Sequence, residues 1–255
     1  MRYNYIDNVD CIEGMKEIPD GSVDMVLCDL PYGITACTWD TIIPLELLWE
    51  QYRRITKKNA AVVLFCSEPF TSSLVQSNLR EFKYKWIWQK EQGVNPLLAK
   101  KQPLNDIEEI CVFYRAQCTY NPQYKPGTPY KITRDRRPRN CEVNGHKFRE
   151  TSTKNDGFRY PKRVLSFHRE TGLHPTQKPV ALCEYLIKTY SNPGETVLDN
   201  CMGSGTTAVA AIRSGRNYIG FELDPKYHAI AQRRAMDALF ESCPKRELDG
   251  DSSNA

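Results

Sequence analysis

The sequence predicts an α/β protein, a doubly wound sheet with one basic insert, and three observations carry that reading. Short apolar, β-rich runs alternate with longer segments of helical period, the pattern of a parallel sheet with helices on its faces. A glycine turn joins one of those runs to the helix that follows it. The alternation lapses once, from 116 to about 171, where Pro122, Pro126, Pro129, Pro138 and Pro161 interrupt a polar, basic, aromatic-containing stretch with no sustained period.

In chain order, the near-continuous apolar run at 23–28 reads as a buried strand, and 44–56 as a helix opened by a proline. The Ala- and Val-rich run at 60–66 reads as a second strand and 69–81 as a second helix. Aromatic and β-branched residues mark strands at 84–89 and 107–114. Past the insert, regular alternation resumes with a helix at 179–190, a strand at 196–199, a helix at 206–213, a strand at 217–222 and a helix at 225–240. The polar tail 241–255 is expected to be disordered. At 255 residues there is room for one sizeable core with something added.

Net charge is only +4, so its distribution matters more than its size. Between Arg115 and Glu170 there are 14 Lys/Arg against 5 acids, a surplus of nine, whereas the rest of the chain has 21 basic and 26 acidic residues. Ten cysteines include no C-x-x-C pair, and Cys28, Cys66, Cys111 and Cys201 lie in or near apolar runs. They read as reduced core residues of a cytoplasmic protein, with no metal site expected. No stretch approaches the roughly 18 apolar residues of a membrane helix, so no membrane association is expected either.

The glycine turn is Asp199-Asn200-Cys201-Met202-Gly203-Ser204-Gly205-Thr206. In an open sheet it places a ligand at the carboxyl end of its strand, with Gly203 and Gly205 letting that ligand approach the backbone. Glu222 ends the next strand, where an acid accepts hydrogen bonds from ribose hydroxyls. A nucleoside-containing ligand follows, but the turn alone also fits a nicotinamide dinucleotide.

Asp29-Leu30-Pro31-Tyr32 follows the strand at 23–28, again at a carboxyl end. An aromatic amine is a poor nucleophile because its lone pair is delocalised into the ring. Asp29 can accept one N–H, a backbone carbonyl beside Pro31 the other, and the nitrogen becomes more sp3-like. Tyr32 offers a flat face for a base extruded from a duplex. Hydride transfer has no use for this group, and a proline turn with a surface acid is the plainer alternative.

Together these residues resemble the amino-methyltransferase family of DNA methyltransferases, in the permuted order with the catalytic loop ahead of the glycine motif. Asp29 to Tyr32 looks like the family's D-P-P-Y motif, with Leu30 where the first proline usually stands. The resemblance implies a Rossmann-like methyltransferase sheet, S-adenosylmethionine as cofactor, and Asp29, Pro31 and Tyr32 as the catalytic set. It implies cofactor contacts from Asp10, Cys11, Asp29, Asp199, Cys201, Gly203, Ser204, Gly205, Thr206 and Glu222. Asp10 equally suits a helix N-cap. His174-Pro175-Thr176-Gln177-Lys178-Pro179 resembles the family's H-P-T-Q-K-P element; Thr176 and Lys178 suit the cofactor's carboxylate, while His174 reads as structural. Asn95-Pro96 and Asp106-Ile107-Glu108-Glu109 look like elements bordering the target.

The domain reading is a catalytic half at 1–115, a target-recognition insert at 116–171 and a cofactor-binding half at 172–240. Arg134, Arg136, Arg137 and Arg139 are expected to neutralise phosphates of double-stranded DNA. The interleaved Tyr120, Tyr124, Tyr130, Phe148, Phe158 and Tyr160 suit a small core of their own, or base stacking. The expected activity is site-specific methylation of adenine N6 in a flipped-out base, in the manner of restriction-modification enzymes. Asp29 favours adenine, since the family's cytosine-N4 members usually carry Ser there, and cytosine N4 is the alternative. A cytosine-C5 enzyme needs a Pro-Cys dipeptide, which does not occur. A NAD-dependent oxidoreductase and a catalytically idle DNA-binding protein are the competitors from other classes. A homodimer is possible because some family members pair.

Overall fold

The computed structural model of the chain describes residues 2–33, 41–94, 96–133, 152–170, 172 and 177–242. The elements are β1 (Tyr5–Asp7), α1 (Cys11–Lys16), β2 (Val23–Asp29), α2 (Leu45–Ile55), β3 (Thr56–Cys66), α3 (Phe70–Ser77), β4 (Phe82–Val94) and β5 (Asn105–Phe113). Four short strands follow, β6 (Lys125–Pro126), β7 (Tyr130–Thr133), β8 (Ser152–Asn155) and β9 (Phe158–Arg159). The chain then runs through β10 (Val164–Ser166), α4 (Val180–Tyr190), β11 (Thr196–Asp199), α5 (Thr206–Arg213), β12 (Asn217–Phe221) and α6 (Pro225–Ser242).

The chain divides into a large unit, Met1–Asn121 with Arg163–Ala255, and a small one, Pro122–Lys162. The small unit is narrower than the 116–171 stretch read from composition.

The large unit is built on an eight-stranded sheet in the order β1-β12-β11-β2-β3-β5-β4-β10. Side chains of a strand alternate between faces, and this sheet uses both. Met25, Leu27, Ala61, Val63 and Phe65 point into one cluster with α4, α5 and α6. Val26, Cys28, Val62, Leu64 and Cys66 point into the other with α1, α2 and α3. Burial on both faces is why β2 and β3 read as near-continuous apolar runs rather than alternating ones. Each large side chain moved out of water here contributes about 1.5–3 kcal/mol. α2 shows the helical counterpart: Leu48, Trp49, Tyr52 and Ile55 are its buried residues, one stripe at helical spacing.

Three expectations need correction. The sheet is not wholly parallel, since β5 runs antiparallel to both β3 and β4. The helix expected at 69–81 stops at Ser77, where Asn78 leaves helical geometry. The strand expected at 84–89 extends over Phe82–Val94. Ahead of the first expected strand the chain adds β1, paired with β12, and α1, capped by Asp10.

The small unit holds two antiparallel pairs, β6 with β9 and β7 with β8. Among the described residues its aromatics do not form a closed core: Tyr124, Phe158 and Tyr160 stay exposed. They meet edge to face, with the Tyr124 ring centroid 6.2 Å from that of Phe158 and 5.0 Å from that of Tyr160, and the Arg159 guanidinium lies over Tyr130. Arg134, Arg136, Arg137, Arg139 and Phe148 lie outside the described residues, as do His174, Pro175, Thr176, Asn95 and 243–255. Among the described residues no helix is long and apolar enough to cross a membrane. None of their His, Cys, Asp and Glu side chains form a group of three or more suited to a metal ion. Seven of the cysteines are described, all as free thiols.

Candidate active site

A cavity of about 820 Å³ opens at the carboxyl ends of β2, β11 and β12, the crevice where an open α/β sheet takes its ligands. Asp29 ends β2, Asp199 ends β11, and Glu222 follows β12; all three line it. Asp10, Cys11, Pro31, Tyr32, Lys178, Cys201, Gly203, Ser204 and Thr206 line it as well. Gly205 stands behind them, packed on α6. The described residues expected to be catalytic or cofactor-binding therefore converge on one space or on its immediate wall.

The glycine turn is held by its own backbone needs. Gly203 and Gly205 have φ of +53° and +85°, a region L side chains rarely enter. The Gly203 N–H donates to Glu222 Oε2 at 2.7 Å, and the Asp224 N–H to Oε1 at 2.8 Å. Burial nonetheless raises the Glu222 carboxyl, against the pull of those two donors. The turn also leaves space of the kind a cofactor needs. A Cβ built at Gly203 meets nothing within 4 Å, so the backbone there faces open space, whereas at Gly205 it meets the Ala231 Cα at 2.8 Å. One glycine borders open space in the cavity and the other makes room for a helix. The volume lies in the usual 300–1,000 Å³ range of cofactor sites, and Phe221, Leu223 and Tyr227 supply apolar wall for a planar ring.

Asp199 accepts from the Cys201 N–H at 3.0 Å. Burial pushes its carboxyl up to about 6, against hydrogen bonds from Thr207 and Cys201. Asp10 caps α1, its Oδ1 accepting from Ile12 N at 2.9 Å and Glu13 N at 3.2 Å; the cap and the cavity wall are the same residue. Tyr52 braces the turn from α2, donating to Asn200 Oδ1 at 2.5 Å.

Around Asp29 the geometry is denser than the sequence suggested. Lys178 Nζ stands 2.6 Å from Asp29 Oδ2 and 2.7 Å from Glu108 Oε1. Lys90 Nζ stands 2.9 Å from Glu108 Oε2. The Tyr32 hydroxyl donates to Asp29 Oδ1 at 2.7 Å, with Glu108 Oε1 3.3 Å away. Its ring stacks on Phe70, centroids 5.4 Å apart. Burial raises the Asp29 carboxyl and Glu108 adds to the rise, while Lys178 and Tyr32 oppose it. Burial alone would lower the Lys178 ammonium, but Asp29 and Glu108 outweigh it and hold it above the ordinary lysine range. Glu108 lies below the usual carboxylate range, because Lys178 and Lys90 overcome its burial.

Sequence reasoning misses Lys90 and gives Glu108 no role beyond bordering the target. The signal lies in Glu108-Glu109: on a strand, neighbours face opposite sides, so one acid of the pair must meet the sheet's other face. Glu109 pairs with Lys85 at 2.6 Å and Glu108 turns into the cavity.

The segment after the insert is anchored by Glu170, whose Oε1 accepts from the Val180 N–H at 2.9 Å and Oε2 from Gln177 at 3.2 Å. This satisfies a free donor at the start of α4 and fixes Lys178 two residues before that helix.

A family model for DNA methylases matches residues 23–233. The chain is 28% identical over 250 residues to the type II methyltransferase M1.MboII of Moraxella bovis, covering 89% of this chain and 94% of that one. It is 29% identical over 245 residues to the DNA adenine methyltransferase YhdJ of Escherichia coli (strain K12), covering 88% and 80%. Among solved structures, the cytosine-N4-specific PvuII DNA methyltransferase has a TM-score of 0.63 over 92% of this chain and 91% of that one; at 14% identity this is a likeness of fold. The family model runs from β2 into α6 and so takes in both the Asp29 loop and the glycine turn, which decides against the dinucleotide reading: the chain belongs to the DNA methylase family.

Proposed function

We propose that the chain methylates N6 of adenine at a defined word in double-stranded DNA, with the target base turned out of the duplex into the cavity. Membership of the DNA methylase family supplies the reaction type. When bound, S-adenosylmethionine supplies a methyl group on a sulfonium sulfur.

The observation that carries the reading is the shared cavity, with the Asp29 carboxylate at the end of β2 and the open backbone of Gly203 beyond the end of β11. Gly203, Asp199 and Glu222 hold the cofactor, and the Asp29 loop holds the amine. Asp29 accepts one N–H of the amino group and the Leu30 carbonyl the other, which directs the nitrogen lone pair at the methyl carbon. Tyr32, backed by Phe70, presents its ring to the base. No covalent enzyme intermediate and no metal is required.

Adenine is favoured over cytosine by the acid at position 29 and by the likeness to YhdJ. The insert, with Arg134, Arg136, Arg137 and Arg139, supplies the phosphate contacts, and a few side chains in the major groove read the word.

The test is incubation of the protein with unmethylated genomic DNA and S-adenosylmethionine, with modified bases read by mass spectrometry and long-read sequencing. N6-methyladenine at one word is the expected result. N4-methylcytosine keeps the mechanism and overturns the base; no modification favours the idle binder. Asp29→Ala is expected to abolish methylation while cofactor binding, read by calorimetry, persists.

A further inference from the structure

We propose that Glu108 and Lys178 are positioning residues for methyl transfer: Glu108 shares the Lys178 ammonium with Asp29, and the sharing keeps the catalytic carboxylate both charged and free to take a proton. The proposal rests on the reading of Asp29 given above.

Four charged groups from separate parts of the fold meet in this corner. Asp29 comes from the end of β2, Glu108 from β5, Lys90 from β4 and Lys178 from the segment before α4. Two acids and two lysines balance, and three of the four are nearly closed off from water: the side chains of Lys178, Glu108 and Lys90 are 8%, 8% and 13% exposed. A buried charge without a partner is costly, so a set this complete marks an arrangement in which each member depends on the others. Asp29 is the most open member, at 26%. It is the one that faces the amine.

The chemistry explains why a single lysine is shared. As the nitrogen–methyl bond forms and the carbon–sulfur bond breaks, the amine nitrogen becomes cationic and one of its N–H protons must leave. Asp29 is the acceptor within reach. A lysine devoted to Asp29 alone would stabilise the carboxylate so well that it accepted that proton poorly. No lysine at all would let burial protonate Asp29 before the reaction. At 2.6 Å from Asp29 and 2.7 Å from Glu108, Lys178 divides its charge between the two. Lys90 holds the far oxygen of Glu108 at 2.9 Å and keeps that carboxylate in place. The Tyr32 hydroxyl, Asp199 at the end of β11 and the Cys28 and Cys183 thiols also lie near Asp29 and are common to every variant below.

The two substitutions act with opposite sign. Lys178→Met removes a cation beside Asp29, so its carboxyl protonates more readily and the acid limb of the kcat–pH profile moves up, by about 1–3 pH units. Glu108→Gln removes an anion, leaves Lys178 wholly to Asp29, moves the acid limb down and lowers the plateau. The double variant restores the net charge next to Asp29, and its acid limb returns toward that of wild type as the two opposite shifts cancel.

The experiment is single-turnover methylation of a DNA duplex containing the methylated word, from pH 5 to 9, for wild type and the three variants. Thermal melting and calorimetric affinity for S-adenosylmethionine are measured on each. Opposite limb shifts with unchanged cofactor affinity are expected. Coincident profiles overturn the proposal, as does a Lys178→Met variant that loses cofactor affinity with its acid limb unmoved, since Lys178 would then serve the cofactor's carboxylate. Should Lys178→Met fail to fold, the isosteric Glu108→Gln decides alone, by the direction of its shift. A wild type that methylates nothing removes the underlying reading and the proposal with it; a wild type that methylates with unmoved variants removes the proposal only.

Discussion

Asp199 illustrates how a buried carboxyl holds free energy in reserve. Its side chain is buried at 3% exposure, and it titrates at about 6 rather than the usual 3.8 because burial outweighs its hydrogen bonds. A carboxyl whose folded pKa is raised binds its proton more tightly in the folded chain. The stability this confers is full below about pH 4 and is lost as the pH rises through about 6. At neutral pH the free protein therefore carries an anion that folding disfavours. Asp199→Asn should raise the melting temperature at pH 7.5, with a gain of at most about 3 kcal/mol at roughly 1.4 kcal/mol per pH unit of displacement. The gain should shrink toward pH 4. The same variant should bind S-adenosylmethionine more weakly, since it loses a charged acceptor in the cofactor half of the cavity. Melting curves at pH 4.5, 6 and 7.5 test this, and a variant destabilised by the same amount at every pH would refute it.

Between elements, we propose that the two glycines of the turn separate folding from binding. At Gly205 a new Cβ meets the α6 backbone at Ala231, 2.8 Å from Cα and 3.1 Å from the carbonyl oxygen, with φ at +85°. Left-handed strain of about 1–2 kcal/mol adds to overpacking of about 1–3 kcal/mol, so Gly205→Ala should lower the urea midpoint markedly. Gly203→Ala meets open space at φ +53° and bears only the strain. Cofactor affinity should show the reverse emphasis, with Gly203→Ala losing binding while still folded, because its methyl group fills the ligand's approach. Equal effects of both substitutions in both assays would contradict this division. The turn was also the most legible part of the sequence: β11 and α5 have the bounds expected from the residues alone, because strand, glycines and helix are all local signals. Legibility failed where pairing decides. β1 has three residues and α1 six, too few to display a period. The reversal of β5 and the meeting of Lys90 with Glu108 depend on the β4–β5 register, in which Glu108 sits opposite Trp88. Such long-range partners leave no mark on local composition.

Across the whole molecule, charge is divided in a way the fold does not require. The stretch from Arg115 to Glu170 has a surplus of nine positive charges while the remainder carries five more acids than bases. A molecule whose larger part is acidic approaches a polyanion productively only through its basic segment, and we propose that the segment supplies affinity and orients the encounter. Arg134, Arg136, Arg137 and Arg139 are the densest part of it, and we propose that they bind phosphates rather than base edges. Replacing all four with alanine should weaken binding to cognate and unrelated duplexes by the same factor, since phosphates carry no sequence information. It should also flatten the plot of log affinity against log salt by about 0.9 for each phosphate that is no longer neutralised. Fluorescence anisotropy on a cognate and a scrambled duplex, titrated from low to moderate salt, reads both quantities. An unchanged salt slope together with a weakening confined to the cognate duplex would instead assign these arginines to base recognition. The methylated word of the variant, read by long-read sequencing, would then relax, whereas phosphate anchoring predicts that the word stays the same and only the rate falls.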